Sequence, residues 1–188
     1  MISDRLKDYN IILASESPRR RELLENTGLK FSIAGVNCDE KYPAHLQNAS
    51  IAEYLAVAKA DAYGEKLGAR DILITADTIV WCKGMVLGKP RDYNEAFSFL
   101  RLLSDCTHKV ITGISLRSTG RQDTFSVTTE VTFRRLEDDE TDYYIRNFSP
   151  FDKAGAYGIQ EWIGITGITA VSGSYYNVVG LPVSHLLE

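Results

Sequence analysis

Several features that mark specialised protein classes are scarce or missing in this 188-residue sequence. No stretch approaches the ~18 apolar residues of a membrane span. Charged residues stand at the N-terminus where a signal peptide needs an apolar core, and internal repeats and low-complexity tracts are missing. Neither membrane insertion nor secretion is therefore expected, and residues 1–188 are expected to form one continuous domain.

Cysteine is rare, and no two cysteines have the CxxC spacing: the chain contains Cys38, Cys82 and Cys106. A disulfide framework is not expected, and the reducing cytoplasm is the expected location. Basic residues are too few for a protein that neutralises many nucleic-acid phosphates, since 21 Lys and Arg stand against 25 Asp and Glu. Any anion site must be local, and no nucleic-acid or membrane partner is expected.

Common catalytic motifs are also missing. The sequence has no GxxxxGK[ST] phosphate loop, no GxGxxG after a strand, no GxSxG elbow and no HExxH zinc helix. His45, His108 and His185 are isolated from one another along the chain. Neither a histidine metal centre nor a Ser/His triad is indicated, and each histidine is expected to be a surface or packing residue.

Capping residues and hydrophobic patterning predict alternating strands and helices. Ser17 and Pro18 mark the start of a first helix, and a capping box of Ser50 and Glu53 predicts a second that ends near residue 67. Further helices are expected at 92–103, at 138–147 and, with an interruption, at 175–188. Strands are expected at 9–14, 71–82, 85–87, 109–116, 124–133 and 163–171. This order predicts an α/β fold with a mixed sheet.

The segment Ser17-Pro18-Arg19-Arg20-Arg21 is the most informative part of the sequence. A helix N-terminus presents free backbone N–H groups and a partial positive charge. Arg19 and Arg20, in its first turn, add forked donors that match phosphate oxygens. The segment therefore predicts a phosphate site; the alternative is a solvated basic turn paired with nearby glutamates.

Asp77 interrupts an otherwise apolar strand. A carboxylate is costly to bury there unless it binds a cation or opens into a cleft. A metal ligand or a base that activates water would account for it, and a turn aspartate at a strand end is the alternative. Asp39 and Glu40 offer a second carboxylate, or they form an exposed acidic loop.

Three lysines, Lys59, Lys89 and Lys153, occur in segments that suit a cleft, although a single lysine is usually a solvated surface charge. Together with the arginines, they would suit a triphosphate. The residues thus predict a phosphate-binding helix N-terminus that faces a strand-borne carboxylate. That is a minimal site for phosphoryl transfer or phosphoanhydride hydrolysis with Mg²⁺ or a similar hard cation.

Five motifs, in order along the chain, resemble those of the Maf family of nucleotide pyrophosphatases. They are Leu13-Ala14-Ser15-Glu16-Ser17-Pro18-Arg19-Arg20, Ala76-Asp77-Thr78, Gly88-Lys89-Pro90, Thr112-Gly113 and Asp152-Lys153-Ala154-Gly155-Ala156-Tyr157-Gly158-Ile159-Gln160. The resemblance covers nearly the whole chain. It implies an inosine triphosphatase-like fold, with two α/β lobes around a cleft and a long mixed sheet. It also implies hydrolysis of a nucleoside triphosphate to the monophosphate and pyrophosphate.

The resemblance further implies roles for single residues. Asp77 corresponds to the proton acceptor and to a metal ligand, assisted by Glu40, so Mg²⁺ or Mn²⁺ is the implied cofactor. The implied phosphate contacts are Arg20, Lys59 and Lys89, and Lys153 is assigned to the substrate with them.

Three positions, Arg19, Thr78 and Gln160, match the subfamily that acts on dTTP and UTP rather than the one that acts on 7-methyl-GTP. Pyrimidine nucleotides, ordinary or modified, are therefore the expected substrates of a house-cleaning activity. Glu161-Trp162 departs from the family pattern, which often has Gly after the Gln, and puts a charge and a bulky ring beside the expected base pocket. A homodimer is implied by the family alone. The alternative function is a nucleotide-binding regulator of septum formation with little turnover.

Overall fold

The structure is a computed structural model and describes residues 2–188. Its helices are α1 (Ile2–Arg5), α2 (Pro18–Glu25), α3 (Ala49–Asp61), α4 (Tyr93–Leu103), α5 (Asp138–Phe148), α6 (Trp162–Gly167), α7 (Tyr175–Val179) and α8 (Val183–Leu186). Its strands are β1 (Asn10–Ala14), β2 (Phe31–Ala34), β3 (Asp71–Cys82), β4 (Met85–Leu87), β5 (Thr107–Arg117), β6 (Gln122–Phe133) and β7 (Ile168–Ser172). Two short 3-10 turns, Pro150–Asp152 and Ala154–Ala156, lie between α5 and α6.

The strands form one mixed sheet with the order β2-β1-β3-β5-β6-β7, and β4 pairs with β3 outside this path. Strand β1 runs parallel to β2 and to β3. Strand β4 is antiparallel to β3, and β7 is antiparallel to β6. Parallel and antiparallel pairs in one sheet, with helices between the strands along the chain, confirm the mixed α/β class.

The chain divides into two compact units. Unit 1 contains the chain up to Asp77 together with Thr112–Val127 and Gly180–Glu188. Unit 2 contains Thr78–Ile111 and Thr128–Val179. Strands β3, β5 and β6 contribute residues to both units.

The start of α2 follows from its capping residues. The Ser17 hydroxyl accepts a hydrogen bond from the Arg20 amide (3.4 Å), and Pro18, which has no N–H to satisfy, begins the helix. Leu23 and Leu24 are buried. The predicted cap is confirmed, and it places the arginine-rich first turn soon after the end of β1.

Helix α3 differs from its prediction at both ends. The Ser50 hydroxyl donates to the Gln47 carbonyl (2.7 Å), and Glu53 accepts a hydrogen bond from Ser126 on β6. The predicted capping box is therefore wrong, and the helix spans Ala49–Asp61 instead of ending near residue 67. A partner that is distant in sequence takes the glutamate, and a local pattern cannot reveal such a partner.

The predicted strand over 163–171 is wrong in its first half. Residues Trp162–Gly167 form α6, and β7 is confined to Ile168–Ser172. A Cβ on Gly164 would lie 2.0 Å from the Ile159 carbonyl oxygen, so the backbone packs here in a way that glycine alone permits. A short apolar run fits a strand or a buried helix by periodicity, so the sequence pattern alone does not separate the two.

The hairpin of β5 and β6 is confirmed. The Ser118 amide donates to the Arg121 carbonyl (2.8 Å) and closes the turn. Along β6, Val127, Thr129 and Val131 are buried, and the residues between and beside them are half-buried or exposed, as the predicted alternation requires. Among residues 2–188, no helix combines the length and the apolar character that crossing a membrane requires.

Candidate active site

The arginine-rich turn at the start of α2 lies in unit 1. Arg20 Nε donates to the Gly180 carbonyl (2.9 Å), and its Nη1 donates to the Ser15 hydroxyl (3.5 Å). Arg21 instead forms an exposed ion pair with Glu25, one helical turn later (2.7 Å). The consecutive arginines are therefore not equivalent, because Arg20 is held beside the helix N-terminus whereas Arg21 is a surface residue.

Asp77 lies on β3 with 7% of its surface exposed and forms an ion pair with Lys59 of α3. The Lys59 ammonium also lies 3.0 Å from Glu40 Oε1, so one lysine joins two acidic residues. The Lys59 side chain is 15% exposed and that of Glu40 is 45% exposed. Three of the residues singled out from the sequence thus come together in unit 1.

A hydrogen bond between β3 and α3 explains why Lys59 reaches Asp77. The Thr75 hydroxyl donates to the Ala56 carbonyl at 2.7 Å. Thr75 and Asp77 are two residues apart and share one face of the strand, while Ala56 and Lys59 are three apart and share one side of the helix. The first contact therefore sets the register of the second.

Gly113, on β5, allows α3 to lie close to the sheet. A Cβ at this position would lie 2.2 Å from the carbonyl carbon and oxygen of Ala52, which are backbone atoms that cannot give way alone. Ala52 precedes Ala56 by one turn and Lys59 by two turns on the same side of the helix. The Thr112-Gly113 motif therefore positions the helix that carries Lys59.

The charged groups around Arg20 affect its pKa. Burial lowers the pKa of the Arg20 guanidinium from its ordinary value; the Asp77 charge opposes this shift, Arg19 adds to it and Glu40 opposes it. An arginine remains charged even when its pKa is lowered in this way. The Arg20 guanidinium and the Lys59 ammonium therefore supply two positive charges close to two carboxylates.

Asp77 and Glu40 are also the residues that could hold a metal ion. Mg²⁺ is usually bound through one or two carboxylates and the phosphates of the substrate, rather than by a full cage of protein ligands. Within residues 2–188, no group of three or more His, Cys, Asp or Glu side chains is arranged as a metal site. The two carboxylates therefore fit a hard cation whose other ligands are phosphate oxygens and water.

Four of the predicted binding residues lie in unit 2, namely Thr78, Lys89, Lys153 and Gln160. The Gly155 amide donates to the Gly88 carbonyl (3.1 Å), which joins the Gly88-Lys89-Pro90 motif to the 152–160 motif. Gly155 has a φ of +70°, and a Cβ there would lie 2.9 Å from Val80 Cγ2 on β3. A glycine at this position therefore lets two of the five motifs pack together.

Lys153 is buried and forms ion pairs with Asp152 (2.7 Å) and Glu161 (3.0 Å). Glu161 also accepts a hydrogen bond from the Tyr144 hydroxyl of α5, and that hydroxyl accepts one from the Gly158 amide (3.0 Å). Burial raises the pKa of Tyr144, and the bond to Glu161 adds to the shift, so the hydroxyl stays protonated. The Tyr144 hydroxyl therefore attaches the loop from Gly158 to Glu161 to α5 at both of its ends.

The two residues that depart from the family pattern are both engaged within unit 2. The Glu161 carboxylate forms an ion pair with Lys153, and the Trp162 ring stands edge-on against Tyr143, with 5.0 Å between ring centroids. Gln160, which directly precedes them, is exposed. The loop therefore holds Gln160 outward while the charge of Glu161 is turned inward.

The histidines are surface or packing residues, as predicted. His108 is buried in unit 2, its Nε2 lies 2.7 Å from the Tyr157 hydroxyl, and its ring stacks on Phe133. Burial lowers the pKa of His108 to about 4, so the ring is neutral near neutral pH. His45 and His185 are exposed.

Two residues that position functional side chains, Thr75 and Tyr144, were not singled out from the sequence. Thr75 showed a weak signal, since it is a polar residue in an apolar strand. Tyr144 showed none, because a tyrosine on the buried side of a helix is typical of a core residue. Their roles follow from partners that the fold supplies.

Known proteins resemble this chain over almost its whole length. A protein of Phocaeicola vulgatus named dTTP/UTP pyrophosphatase is 50% identical over 184 residues, which are 97% of this chain and 95% of that protein. A protein of Flavobacterium psychrophilum with the same name is 46% identical over 182 residues, which are 97% of this chain and 93% of that protein. Among solved structures, that of the Staphylococcus aureus Ham1 protein aligns with 66% of this chain and 71% of its own, at a TM-score of 0.49 and 13% identity.

The sequence model of one protein family, described as Maf-like protein, matches residues 10–188. This match includes all five motifs quoted from the sequence and residues of both units. The chain therefore belongs to the Maf-like protein family.

Proposed function

We propose that this protein is a nucleoside triphosphate pyrophosphatase that converts dTTP and UTP to their monophosphates and pyrophosphate. The observation that carries the proposal is the buried Asp77, paired with Lys59 and accompanied by Glu40 and Arg20. Desolvating an ion pair costs free energy, and groups in such surroundings concentrate at functional sites. The names of the two relatives support the choice of reaction and substrate.

In this mechanism Asp77 accepts a proton from the attacking water. As the water oxygen bonds to the α-phosphorus, the bond from that phosphorus to the α–β bridging oxygen breaks, and pyrophosphate leaves. A positioned general base of this kind contributes about 10²–10⁴-fold to the rate. The Thr75 bond to α3 keeps the carboxylate on a rigid strand beside its lysine partner.

The positive groups of unit 1 bind the phosphates in this proposal. The first turn of α2 offers backbone N–H groups, and Arg19 and Arg20 add forked donors for phosphate oxygens. Lys59 adds a further positive charge next to Asp77. A divalent cation such as Mg²⁺ or Mn²⁺, held by Asp77 and Glu40, would neutralise phosphate charge and lower the pKa of a bound water.

We assign Thr78, Lys89, Lys153 and Gln160 to the remaining substrate contacts. The Gln160 amide can donate and accept hydrogen bonds at once, which suits the edge of a pyrimidine, and the Thr78 hydroxyl adds a second such group. The pairing of Glu161 with Lys153 and Tyr144 supports this assignment, because it immobilises the loop that presents Gln160.

We propose that residues 1–188 work as one domain. The family match over residues 10–188 supports this view. Nucleoside triphosphates are made and used in the cytoplasm, and we place the enzyme there.

Pyrophosphate release from a panel of triphosphates tests the function. The panel contains dTTP, UTP, CTP, GTP, ATP and 7-methyl-GTP, each with Mg²⁺, Mn²⁺ or a chelator. Wild type is compared with Asp77→Asn and with a matched control, Asp123→Asn, whose carboxylate is 52% exposed and pairs with Arg121 at the surface.

Metal-dependent release from dTTP and UTP that is lost in Asp77→Asn and kept in Asp123→Asn is the expected result. Release confined to another base would refute the assignment of substrate but not of reaction. Saturable nucleotide binding without release from any triphosphate would refute the enzyme and favour a nucleotide-binding regulator.

A further inference from the structure

Two of the three cysteines are neighbours in unit 2. Cys82 ends β3 and Cys106 immediately precedes β5, and their Sγ atoms are 3.6 Å apart. Both are free thiols. A disulfide S–S bond is about 2.05 Å long, so the sulfur atoms would have to approach by about 1.6 Å to bond.

The backbone on both sides of this cysteine pair is held in place. Cys82 pairs with Met85 across the turn from β3 to β4. The Cys106 carbonyl accepts a hydrogen bond from the Phe133 amide (3.1 Å), and the neighbouring Asp105 amide donates to a carbonyl that follows β6 (3.1 Å). These backbone contacts keep the two segments that carry the sulfur atoms in place.

The two thiols differ in their access to solvent. Cys82 is 2% exposed, whereas Cys106 is partly exposed. Burial, together with the contact to Cys106, raises the pKa of the Cys82 thiol to about 11. A soluble oxidant therefore meets Cys106 first, and Cys82 is protected from direct oxidation.

We propose that Cys82 and Cys106 form a site of reversible oxidative modification, with a peroxide as the oxidant and an intramolecular disulfide as the product. Hydrogen peroxide oxidises the Cys106 thiol to a sulfenic acid and releases one water. The Cys82 sulfur attacks the sulfenic sulfur, the thiol proton leaves with the hydroxyl as a second water, and the S–S bond forms. A dithiol reductant restores both thiols. The proposal does not depend on the proposed function.

Peptide mapping of the full-length protein tests this proposal. Reduced protein is exposed to hydrogen peroxide, unfolded, blocked with N-ethylmaleimide and digested with trypsin in the absence of reductant. Trypsin places Cys82, Cys106 and Cys38 on separate peptides, 71–83, 102–109 and 31–41. We expect one linked pair, 71–83 with 102–109, about 2 Da lighter than the two thiol peptides together and separated by dithiothreitol. The 31–41 peptide should carry the blocking reagent.

Two variants make the test sharper. In Cys38→Ser, the two remaining thiols, Cys82 and Cys106, should form the same disulfide-linked peptide pair. Cys106→Ser should keep Cys82 as a thiol that the reagent blocks after unfolding. The proposal is overturned by a link that contains Cys38, by a sulfinic acid on Cys106 with Cys82 still reduced, or by three unreacted thiols after exposure of the wild type.

Discussion

Replacing Lys59 with Met is expected to lower both stability and activity, and adding Asp77→Asn is expected to restore stability alone. Lys59→Met keeps most of the side-chain volume but removes the ammonium group from the Asp77 carboxylate, which is 7% exposed. An ionised group buried without its partner is strongly destabilising. Asp77→Asn then removes that charge, while the reaction still lacks its base.

The size of the effect follows from the exposure of the pair. Removing one partner of a buried ion pair costs about 3–5 kcal/mol. The Lys59 and Asp77 side chains keep 15% and 10% exposure, and Arg20 still acts on the Asp77 charge, so the cost here should be smaller. We expect about 2–3 kcal/mol for Lys59→Met. The double variant should retain about 1 kcal/mol of this loss, the value of an ordinary hydrogen bond.

Urea unfolding supplies the free energies, and pyrophosphate release from dTTP supplies the rates. Both variants should be slower than wild type by at least about 10²-fold, because a base and its charged partner are involved. Lys66→Met is the matched control, since Lys66 is an exposed lysine that lies beyond α3, and it should change neither quantity. A double variant less stable than Lys59→Met, or one with wild-type turnover, would refute the reasoning.

Three further predictions concern pH, packing and phosphate binding. The free energy of unfolding should fall as the pH drops from about 6.5 towards 4, because the unfolded chain protonates His108 before the folded protein does. Urea unfolding across this pH range should show a smaller fall in His108→Gln than in wild type. An equal fall in both would contradict the lowered pKa of His108. Gly113→Ala should destabilise the protein by about 1–3 kcal/mol in the same assay, because its methyl group meets the Ala52 backbone. Adding Ala52→Gly should not restore stability, since the Ala52 side chain is not part of the clash. Wild-type stability of Gly113→Ala would contradict this by showing that α3 can shift. Arg20→Ala should lower kcat/KM for dTTP by about 10–100-fold, whereas Arg21→Ala should stay within about twofold; equal losses would contradict the difference between the two arginines.

Sequence patterns located the charged groups of the site better than they located the connections among them. Asp77, Lys59 and Glu40 were each singled out, and the structure brings the three together. Lys153 was singled out as well, but its pairing with Glu161 was not foreseen. A charged residue within an apolar segment can be recognised from that segment alone, whereas its ion-pair partner lies on a different segment.

Two predictions about the helices and strands were wrong. The Ser50–Glu53 capping box was predicted wrongly because Glu53 bonds to Ser126 on β6, and 163–171 was assigned to one strand although its first half forms α6. Caps such as Ser17 are predicted correctly because the capping side chain and the amide that donates to it lie within one helical turn. The capping-box prediction therefore failed because the deciding contact of Glu53 is distant in sequence.

Local rules were enough for the composition class, the α/β order, the β5–β6 hairpin and the start of α2, because these depend on interactions over a few residues. Which groups meet depended instead on how the helices pack. Lys59 and Asp77 are 18 residues apart in the chain and meet because the Thr75 hydroxyl bonds to a helix carbonyl. Tyr144 and Glu161 are 17 residues apart and meet because the 158–161 loop closes on α5. Packing joins surfaces that are distant in sequence, so these contacts arise in the folded chain and are not encoded in any one segment.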